Sequence, residues 1–280
     1  MRSETDGRCV AGFAIESGGF DTEALQSRLA GRRMGWRIHY LPVVDSTNRL
    51  ALQLAREGAA EGTVVFADCQ TRGRGRLKRI WQSPPGRNVY ASILLRPDID
   101  PADATRITLT AGVAVAEMIS IFCPEGVGLK WPNDVFIRER KVCGILTEMK
   151  TKGKALDALV VGIGLNVNIA GRDFDPEYRQ SATSLREETG RIFPREDVAL
   201  RLCDSFEKWY RIFLDEGFVA IRERWLSHSR MLGRRVRVLF QGEVQEGLVV
   251  GIDLDGALLL DDERGVVRRI IAGDASIMKG

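Results

Sequence analysis

The segment that most constrains the fold of this chain is residues 73–81, which read Gly-Arg-Gly-Arg-Leu-Lys-Arg-Ile-Trp. It lies between two apolar segments, residues 63–67 and 89–95, whose composition predicts buried β-strands. The segment is therefore predicted to be a loop that joins two strands. Glycine lets backbone N–H groups approach a ligand closely, and arginine presents a planar, permanently charged donor group. We expect such a loop to bind phosphate or carboxylate, although nine residues alone would also fit a basic surface turn.

Composition favours a folded protein that does not bind nucleic acid non-specifically. The 280 residues are 44% hydrophobic, enough to bury one sizeable core and a small second one, and the net charge of +3 disfavours non-specific nucleic-acid binding. Five cysteines without a Cys-x-x-Cys pair argue against a disulfide framework and a structural zinc site. No run of roughly 20 apolar residues suggests a membrane span. We therefore expect a cytoplasmic protein without a membrane partner.

Hydrophobic periodicity predicts an α+β protein. Long amphipathic helices are predicted at residues 101–122 and 195–214, and a helix capped by Ser46 runs to about Glu57. Because strands and helices do not alternate strictly, we predict a mixed β-sheet with helices on one face. Short apolar runs after Gly233 predict a small antiparallel barrel. The other predicted elements are short helices at residues 20–33 and 218–226, strands at 39–44, 63–67, 89–95, 128–131, 135–138, 142–149 and 156–169, and barrel strands at 236–240, 248–252, 257–260 and 266–271.

Several motifs accompany the arginine-glycine loop in a fixed order. They are Asp45-Ser46-Thr47-Asn48, Gln70, Lys130-Trp131-Pro132-Asn133-Asp134, Lys141-Val142-Cys143-Gly144-Ile145-Leu146 and Gly162-Ile163-Gly164-Leu165-Asn166-Val167-Asn168. Together with the loop, this set resembles the biotin protein ligase family. The resemblance runs from about Trp36 onward and departs from the family pattern at Lys78, where the loop of the family has glycine. The departure concerns the backbone conformation of the loop and leaves its charge intact.

The resemblance implies a class II synthetase-like biotin/lipoate ligase catalytic domain, followed by an SH3-like β-barrel. It predicts an N-terminal tail with a short helix at residues 1–35, the catalytic domain at 36–231 and the barrel at 232–280. It also implies an ATP-dependent enzyme that makes biotinyl-5′-AMP and passes biotin to a lysine of a biotin carboxyl carrier domain. The expected cofactors are ATP and Mg²⁺, with biotin as substrate, and the form expected is the one without a winged-helix repressor domain.

The family assigns roles to particular residues of this sequence by the same resemblance. Lys141, Arg76 and Arg74 are expected to be catalytic, because fixed cations offset the repulsion between a carboxylate and the α-phosphate. Asp134 is expected to hold the metal. The expected biotin-binding residues are Ser46, Thr47, Asn48, Gln70, Gly73, Arg74, Gly75, Arg76, Lys141, Gly144 and Gly162; the expected ATP-binding residues are Arg76, Arg79, Trp81, Lys130, Asn133 and Asn166.

Several of these residues also have a purely structural interpretation. Lys141, taken alone, fits a solvated lysine in a turn. A plain core aromatic fits Trp81 as well as a role in closing the loop does. Ser46, at the start of a helix, is a typical N-cap. Residues 130–134 fit a strand end followed by a tight turn. Cys143 alternates away from Gly144 along the strand, so we expect it to pack in the core.

Three other functions were weighed against this one. A lipoate protein ligase shares the chemistry, but its Arg-Arg-x-Ser-Gly-Gly-Gly stretch is missing from this sequence. A biotin-sensing repressor needs a helix-turn-helix, and no such pattern precedes the matching region, so no sequence-specific DNA binding is expected. A catalytically inactive adaptor is opposed by the intact arginines and Lys141. A homodimer is compatible with an exposed sheet edge, and two histidines outside any ligand or triad pattern do not support zinc catalysis or Ser-His-Asp hydrolysis.

Overall fold

A seven-stranded mixed β-sheet and a five-stranded antiparallel sheet form the framework of the protein. The structure, a computed structural model, describes residues 20–262 and 264–278. The helices are α1 (Thr22–Leu29), α2 (Thr47–Arg56), α3 (Ala104–Phe122), α4 (Leu185–Thr189), α5 (Arg195–Glu216) and α6 (Phe218–Ser227). The strands are β1 (Arg37–Val44), β2 (Thr63–Gln70), β3 (Val89–Leu95), β4 (Val127–Lys130), β5 (Asp134–Ile137), β6 (Arg140–Lys152), β7 (Ala155–Leu165), β8 (Arg235–Phe240), β9 (Glu243–Ile252), β10 (Leu258–Asp261), β11 (Val267–Ile270) and β12 (Asp274–Ile277).

The large sheet has the strand order β1-β2-β3-β7-β6-β5-β4. Strands β1 and β2 are parallel, and the remaining neighbours pair antiparallel. The crossover between β1 and β2 is made by α2, as a parallel pair requires. This arrangement confirms the mixed sheet that the sequence predicts.

Side chains alternate between the two faces of the large sheet, and most helices cover one face. Buried residues of α1, α3, α5 and α6 form a single core with one set of strand residues, for example Phe66, Ile93 and Ile163. The intervening strand residues, for example Val65 and Leu94, form a smaller cluster with α2 on the opposite face. The expectation of helices on one face therefore holds for the main helical layer, and α2 adds partial cover to the other face.

Helix α3 lies at the centre of the helical layer. With the short 3-10 turn before it, α3 forms the segment Pro101–Phe122, which is long and apolar enough to cross a membrane by length and composition. The expectation that the chain contains no segment of this length and apolar character was wrong. Most of the segment is buried within the protein, and α3 packs against α5, α6 and β6. Its apolar character is accounted for by these contacts, which make it the core helix of the fold.

The C-terminal sheet has the strand order β11-β10-β9-β8-β12 and is wholly antiparallel, as expected of an SH3-like barrel. The sequence predicted β8, β10 and β11, and the second half of β9. It missed β12 and the helix α4, because both are short and lack clear periodicity. Residues 1–19 of the predicted N-terminal tail lie outside the described residues, and the two domain boundaries, after residues 35 and 231, stay predictions.

The cysteines are mostly buried in the core. Cys123, Cys143 and Cys203 are free, and burial raises the pKa of the Cys143 thiol well above its usual range. The packing role predicted for Cys143 is confirmed, because its side chain lies in the helical core.

The C-terminal sheet is fastened to the large sheet through buried side chains. Trp131, at the end of β4, is almost fully buried and donates its indole N–H to the carbonyl oxygen of Gly256 at 3.0 Å. Arg222 of α6 donates to the carbonyl oxygen of Ile252 at 2.6 Å. Buried residues of both sheets belong to one continuous hydrophobic core. The two sheets are therefore expected to unfold together.

Replacing Trp131 by Phe tests this attachment. The change removes the indole N–H and leaves the Gly256 carbonyl without that donor, which we expect to cost about 1–3 kcal/mol of unfolding free energy. Trp209→Phe is the matched control, because the buried Trp209 Nε1 has no hydrogen-bond partner in the described part of the chain. Urea unfolding of both variants measures the difference. Equal losses in the two variants would show that the hydrogen bond contributes nothing.

Candidate functional site

A cavity of about 410 Å³ lies on the α2 face of the large sheet. Strands β6 and β7 form its floor, the start of α2 and the arginine-glycine loop form two walls, and residues 174–182 close a third side. Of the predicted site residues, only Gly73 does not line the cavity. Those that line it are Ser46, Thr47, Asn48, Gln70, Arg74, Gly75, Arg76, Arg79, Trp81, Lys130, Asn133, Asp134, Lys141, Gly144, Gly162 and Asn166.

The floor of the cavity is flat because glycines face it. Gly144 pairs with Gly164 across β6 and β7, and their neighbours Ile145 and Ile163 point into the helical core. A Cβ atom at Gly164 would overlap the indole ring of Trp81, and one at Gly144 would lie 3.0 Å from Trp81 Cζ3. The glycines thus let the indole of Trp81 lie directly on the sheet.

Protein side chains fill the space that we expected these glycines to leave for a ligand. At Gly144 the neighbours are Trp81 and the ammonium group of Lys141, 3.2 Å from the position of a Cβ atom. At Gly162 a Cβ atom would overlap Oδ1 of Asn48. The floor glycines therefore make room for Trp81, Lys141 and Asn48.

The arginine-glycine loop is a tight hairpin between β2 and β3, which confirms the predicted strand-to-strand loop. Arg74 and Ile80 form an antiparallel bridge, and the N–H of Gly75 donates to the carbonyl oxygen of Arg79 at 2.8 Å. Leu77 and Lys78 form its tip with φ angles of +54° and +61°. This left-handed conformation favours glycine, so the departure at Lys78 places a lysine where the backbone is strained.

Each arginine of the loop has a partner on a different element. Arg74 Nη2 lies 3.3 Å from Glu148 Oε1 on β6, and Arg76 Nη1 donates to Asn133 Oδ1 at 3.4 Å. Arg79 forms an ion pair with Asp274 at the start of β12. Burial lowers the pKa of the Arg76 guanidinium, and the charges of Asp274 and Asp134 oppose that shift.

Lys141 lies on β6 beside a carboxylate and an aromatic ring. Its Nζ is 2.6 Å from Asp134 Oδ1 on β5 and 5.4 Å from the centre of the Trp81 ring. Its backbone is fixed on both sides, because its N–H donates to Ser181 and its carbonyl oxygen accepts from Thr183. This lysine is therefore a strand residue held over the cavity floor. The alternative interpretation, a solvated lysine in a turn, is excluded.

The end of the cavity near α2 is polar and uncharged. Gln70 Oε1 accepts from the N–H and the hydroxyl of Thr47 at 3.0 and 3.1 Å, and Gln70 Nε2 donates to the hydroxyl of Ser83 at 3.1 Å. Ser46 occupies the N-cap position of α2, but its side chain makes no capping hydrogen bond. Its hydroxyl is therefore not committed to the helix, which favours a ligand-binding role over the capping role.

Two predicted nucleotide-binding residues use their amides inside the protein. Asn133 Nδ2 donates to the carbonyl oxygen of Ile145 at 2.6 Å, and Asn166 Nδ2 donates to that of Thr183 at 3.0 Å. These bonds hold the turn after β4 and the segment after β7 against the cavity. Lys130 lies with its ammonium group 5.7 Å from the centre of the Phe136 ring.

Four residues at or next to the cavity were missed by the sequence analysis. Glu148 contacts Arg74, Ser92 Oγ on β3 lies 2.7 Å from Thr47 Oγ1, and Asp274 and Tyr178 line the cavity. Ser92 is a single polar residue in an apolar strand, a signal that could have identified it. Asp274 begins the strand that periodicity missed.

The charge of the cavity favours anionic ligands. Its lining carries five cationic side chains and three carboxylates; the cations are Arg74, Arg76, Arg79, Lys130 and Lys141, and the carboxylates are Asp134, Glu139 and Asp274. Trp81 Nε1 is buried and has no hydrogen-bond partner in the described residues. Buried polar groups normally have a partner, so this donor is available to a bound ligand.

Comparisons with known proteins agree with this geometry. Residues 40–166 match the biotin/lipoate A/B protein ligase family, and residues 231–278 match the biotin protein ligase C-terminal domain. The chain is 38% identical to the bifunctional ligase/repressor BirA of Bacillus subtilis, over 87% of this chain and 75% of that protein. It is 34% identical to a biotin–[acetyl-CoA-carboxylase] ligase of Paracoccus denitrificans, over 84% of this chain and 98% of that protein.

Its structure is similar to that of the biotin protein ligase from Aquifex aeolicus, solved in complex with biotin and ATP. The TM-score is 0.75 and the sequence identity 32%, and the match covers 87% of this chain and 99% of the other. The similarity extends over both sheets.

A methyl group on the cavity floor tests the packing of Trp81. Gly164→Ala should displace the indole, at a cost of about 1–3 kcal/mol in unfolding free energy, because the new methyl overlaps the ring. Gly112→Ala in α3 is the matched control, since its Cβ would lie at an ordinary 3.5 Å from Leu129 Cδ2. Near-UV circular dichroism measures the displacement of the indole, and thermal unfolding measures the loss of stability. An unchanged aromatic spectrum for Gly164→Ala would contradict the placement of Trp81.

Proposed function

The chain belongs to the biotin protein ligase family, and from this premise we propose that it is an ATP-dependent enzyme that attaches biotin to a lysine of a carrier protein. The observation that carries the proposal is the cavity itself. It combines an uncharged hydrogen-bonding end around Gln70 with a cationic end around Arg76 and Lys141. Biotin has the matching polarity, with a neutral ureido ring at one end and a carboxylate at the other.

The chemistry takes place in two steps. A carboxylic acid cannot expel hydroxide at neutral pH, so the biotin carboxylate first attacks the α-phosphorus of ATP and pyrophosphate leaves. The amine of the acceptor lysine then attacks the carbonyl carbon of biotinyl-5′-AMP, an amide forms and AMP leaves. Both reacting groups of the first step are anionic, so fixed cations at the point of contact lower its barrier.

We assign the uncharged end of the cavity to the ureido ring. The hydroxyl of Ser46 and the network of Thr47 and Gln70 offer donors and acceptors there. Arg76 and Arg79 are assigned to the phosphates, because their side chains line the cavity and arginine binds phosphate through paired N–H groups. The unpartnered Nε1 of Trp81 supports a contact of this side chain with the nucleotide.

Lys141 is assigned to the reacting centre. Its ammonium group lies over the floor at the cationic end of the cavity, 2.6 Å from Asp134 Oδ1. An incoming carboxylate or phosphate competes with Asp134 for that ammonium group. Lys141 can then stabilise the charge that develops on the α-phosphate oxygens.

Asp134 is the residue proposed to hold Mg²⁺. The described residues contain no group of three or more metal-binding side chains. Mg²⁺ commonly takes one or two carboxylates and completes its shell with water and phosphate oxygens, so one carboxylate at this position fits the ion. Mg²⁺ supplies charge neutralisation of the triphosphate when it is bound.

The proposed acceptor is the biotin carboxyl carrier domain of a biotin-dependent carboxylase, since the relative from Paracoccus is named for acetyl-CoA carboxylase. A transfer assay with biotin, MgATP and a purified carrier domain tests the proposal directly. Lipoate transfer to a lipoyl domain, measured in parallel, tests the alternative substrate. Lipoate transfer without biotin transfer would refute the proposal. A cytoplasmic location, a homodimer and the lack of sequence-specific DNA binding stay predictions.

Lys141→Ala should lower biotin-dependent pyrophosphate release by about 100-fold or more, the scale for removing one preorganised charge from an active site. The variant should remain folded, because Lys141 contributes mainly its ammonium group. Lys150→Ala is the matched control, since Lys150 lies on the same strand and pairs with Asp157 away from the cavity. Near-normal release by folded Lys141→Ala would remove Lys141 from the reacting centre.

Arg76→Gly should weaken retention of biotinyl-5′-AMP more than it slows its formation, because one phosphate donor is lost while the other cations remain. The released adenylate should label lysines of unrelated proteins added to the reaction. Mass spectrometry of a bystander protein measures this labelling. Retention equal to that of the parent enzyme would contradict the placement of Arg76.

A further inference from the structure

Glu148 of β6 connects the two chemically different ends of the cavity. Its Oε2 accepts from Asn48 Nδ2 at 2.8 Å, next to the uncharged end. Both of its carboxylate oxygens also lie 3.3–3.4 Å from Arg74 Nη2, at the base of the arginine loop. About a quarter of the Glu148 side chain is exposed, so the pair with Arg74 is only partly screened by solvent.

Asn48 is held in one orientation by this contact and three others. Its Nδ2 donates to the carbonyl oxygen of Leu146 at 3.0 Å, and its Oδ1 accepts from the hydroxyl of Ser92 at 2.6 Å. Its amide lies against Gly162, where no side chain could fit. Because both donor bonds of Nδ2 are used inside the protein, Asn48 acts as a rigid support for the start of α2.

Arg74 is placed differently from the other two arginines of the loop. Its backbone begins the hairpin through the bridge to Ile80, so the contact of its side chain with Glu148 lies where the hairpin leaves the sheet. Its carboxylate partner belongs to the sheet that carries the cavity floor. Arg79 instead pairs with the C-terminal sheet, and Arg76 with a neutral amide.

We propose that Glu148 is a positioning residue that fixes the arginine loop to the biotin-binding end of the cavity, by holding Arg74 and Asn48 at once. The inference rests on the proposed function, because that function identifies the substrate as biotin. The positioning role itself is argued from the contacts of Glu148. Arg74 is then the anchor of the loop, and Arg76 and Arg79 remain for the phosphates. The carboxylate also supplies negative charge beside the uncharged end, so the carboxylate of biotin is directed toward Lys141.

Proteolysis in the absence of substrates tests the anchor by itself. Thermolysin cleaves before large apolar residues; Leu77 at the loop tip is 63% exposed, and Ile80, at the bridge to Arg74, is 57% exposed. Glu148→Gln keeps an acceptor for Asn48 and removes the charge that holds Arg74, so loop cleavage should be about tenfold faster than in the parent. Glu223→Gln, at an exposed glutamate of α6 in the helical layer on the opposite face of the sheet, should be cleaved at the parental rate. Equal rates for Glu148→Gln and the parent would overturn the proposal.

A double-mutant cycle in pyrophosphate release tests the coupling to catalysis. If Arg74 acts through Glu148, then Arg74→Gln and Glu148→Gln should each raise the KM for biotin by roughly tenfold. The KM of the double variant should then exceed that of either single variant by no more than about threefold. If Arg74 binds a substrate anion directly, Arg74→Gln will be far more harmful than Glu148→Gln and the two effects will add. That pattern would overturn the proposal.

The two tests separate this inference from the proposed function. A parent protein that forms no biotinyl-5′-AMP would refute the proposed function, while the proteolysis result would still decide the role of Glu148. Glu148→Asp provides a further check, because a shorter carboxylate should recover part of the protease resistance and of the biotin KM. No recovery in either measurement would overturn the charge pairing as the cause.

Discussion

The two faces of the paired strands β6 and β7 impose opposite requirements on their residues. Residues such as Ile145 and Ile163 must be large and apolar, because they pack under α3 in the helical core. The residues between them, Gly144, Gly162 and Gly164, must be small, because Trp81, Lys141 and Asn48 lie directly on the backbone there. The cavity therefore lies on the glycine face of these strands, while the opposite face packs in the helical core.

Electrostatic pairing organises the walls of this cavity. Lys141 pairs with Asp134 on the neighbouring strand, Arg74 with Glu148 on the floor strand and Arg79 with Asp274 on the C-terminal sheet. The cations are thereby held close together in the absence of a ligand, although like charges repel. Under the proposed function, an anionic substrate replaces Asp134 at Lys141 and Asp274 at Arg79, while Arg74 keeps its pairing with Glu148.

Long, periodic elements of the fold were predictable from sequence, and the contacts between distant segments were not. The spacing of apolar residues placed α3 and α5 almost correctly, because burial of one helix face imposes a period that the sequence records. Strand β12 is only four residues long and carries no such period, so Asp274 could not be connected with Arg79. The role of Glu148 was equally hidden, because it depends on α2, β6 and the loop meeting at one point.

By itself, the sequence determined the chemical character of the site. Glycines and arginines at fixed spacing specify a cationic loop whatever the fold around it. Of the site residues predicted from this loop and the motifs around it, all but Gly73 line the cavity. Only the tertiary structure decided which charges pair, where Trp81 lies and that Lys78 occupies a left-handed position. Residue types record chemistry locally, whereas pairing and backbone conformation follow from contacts between segments up to 195 residues apart in the chain.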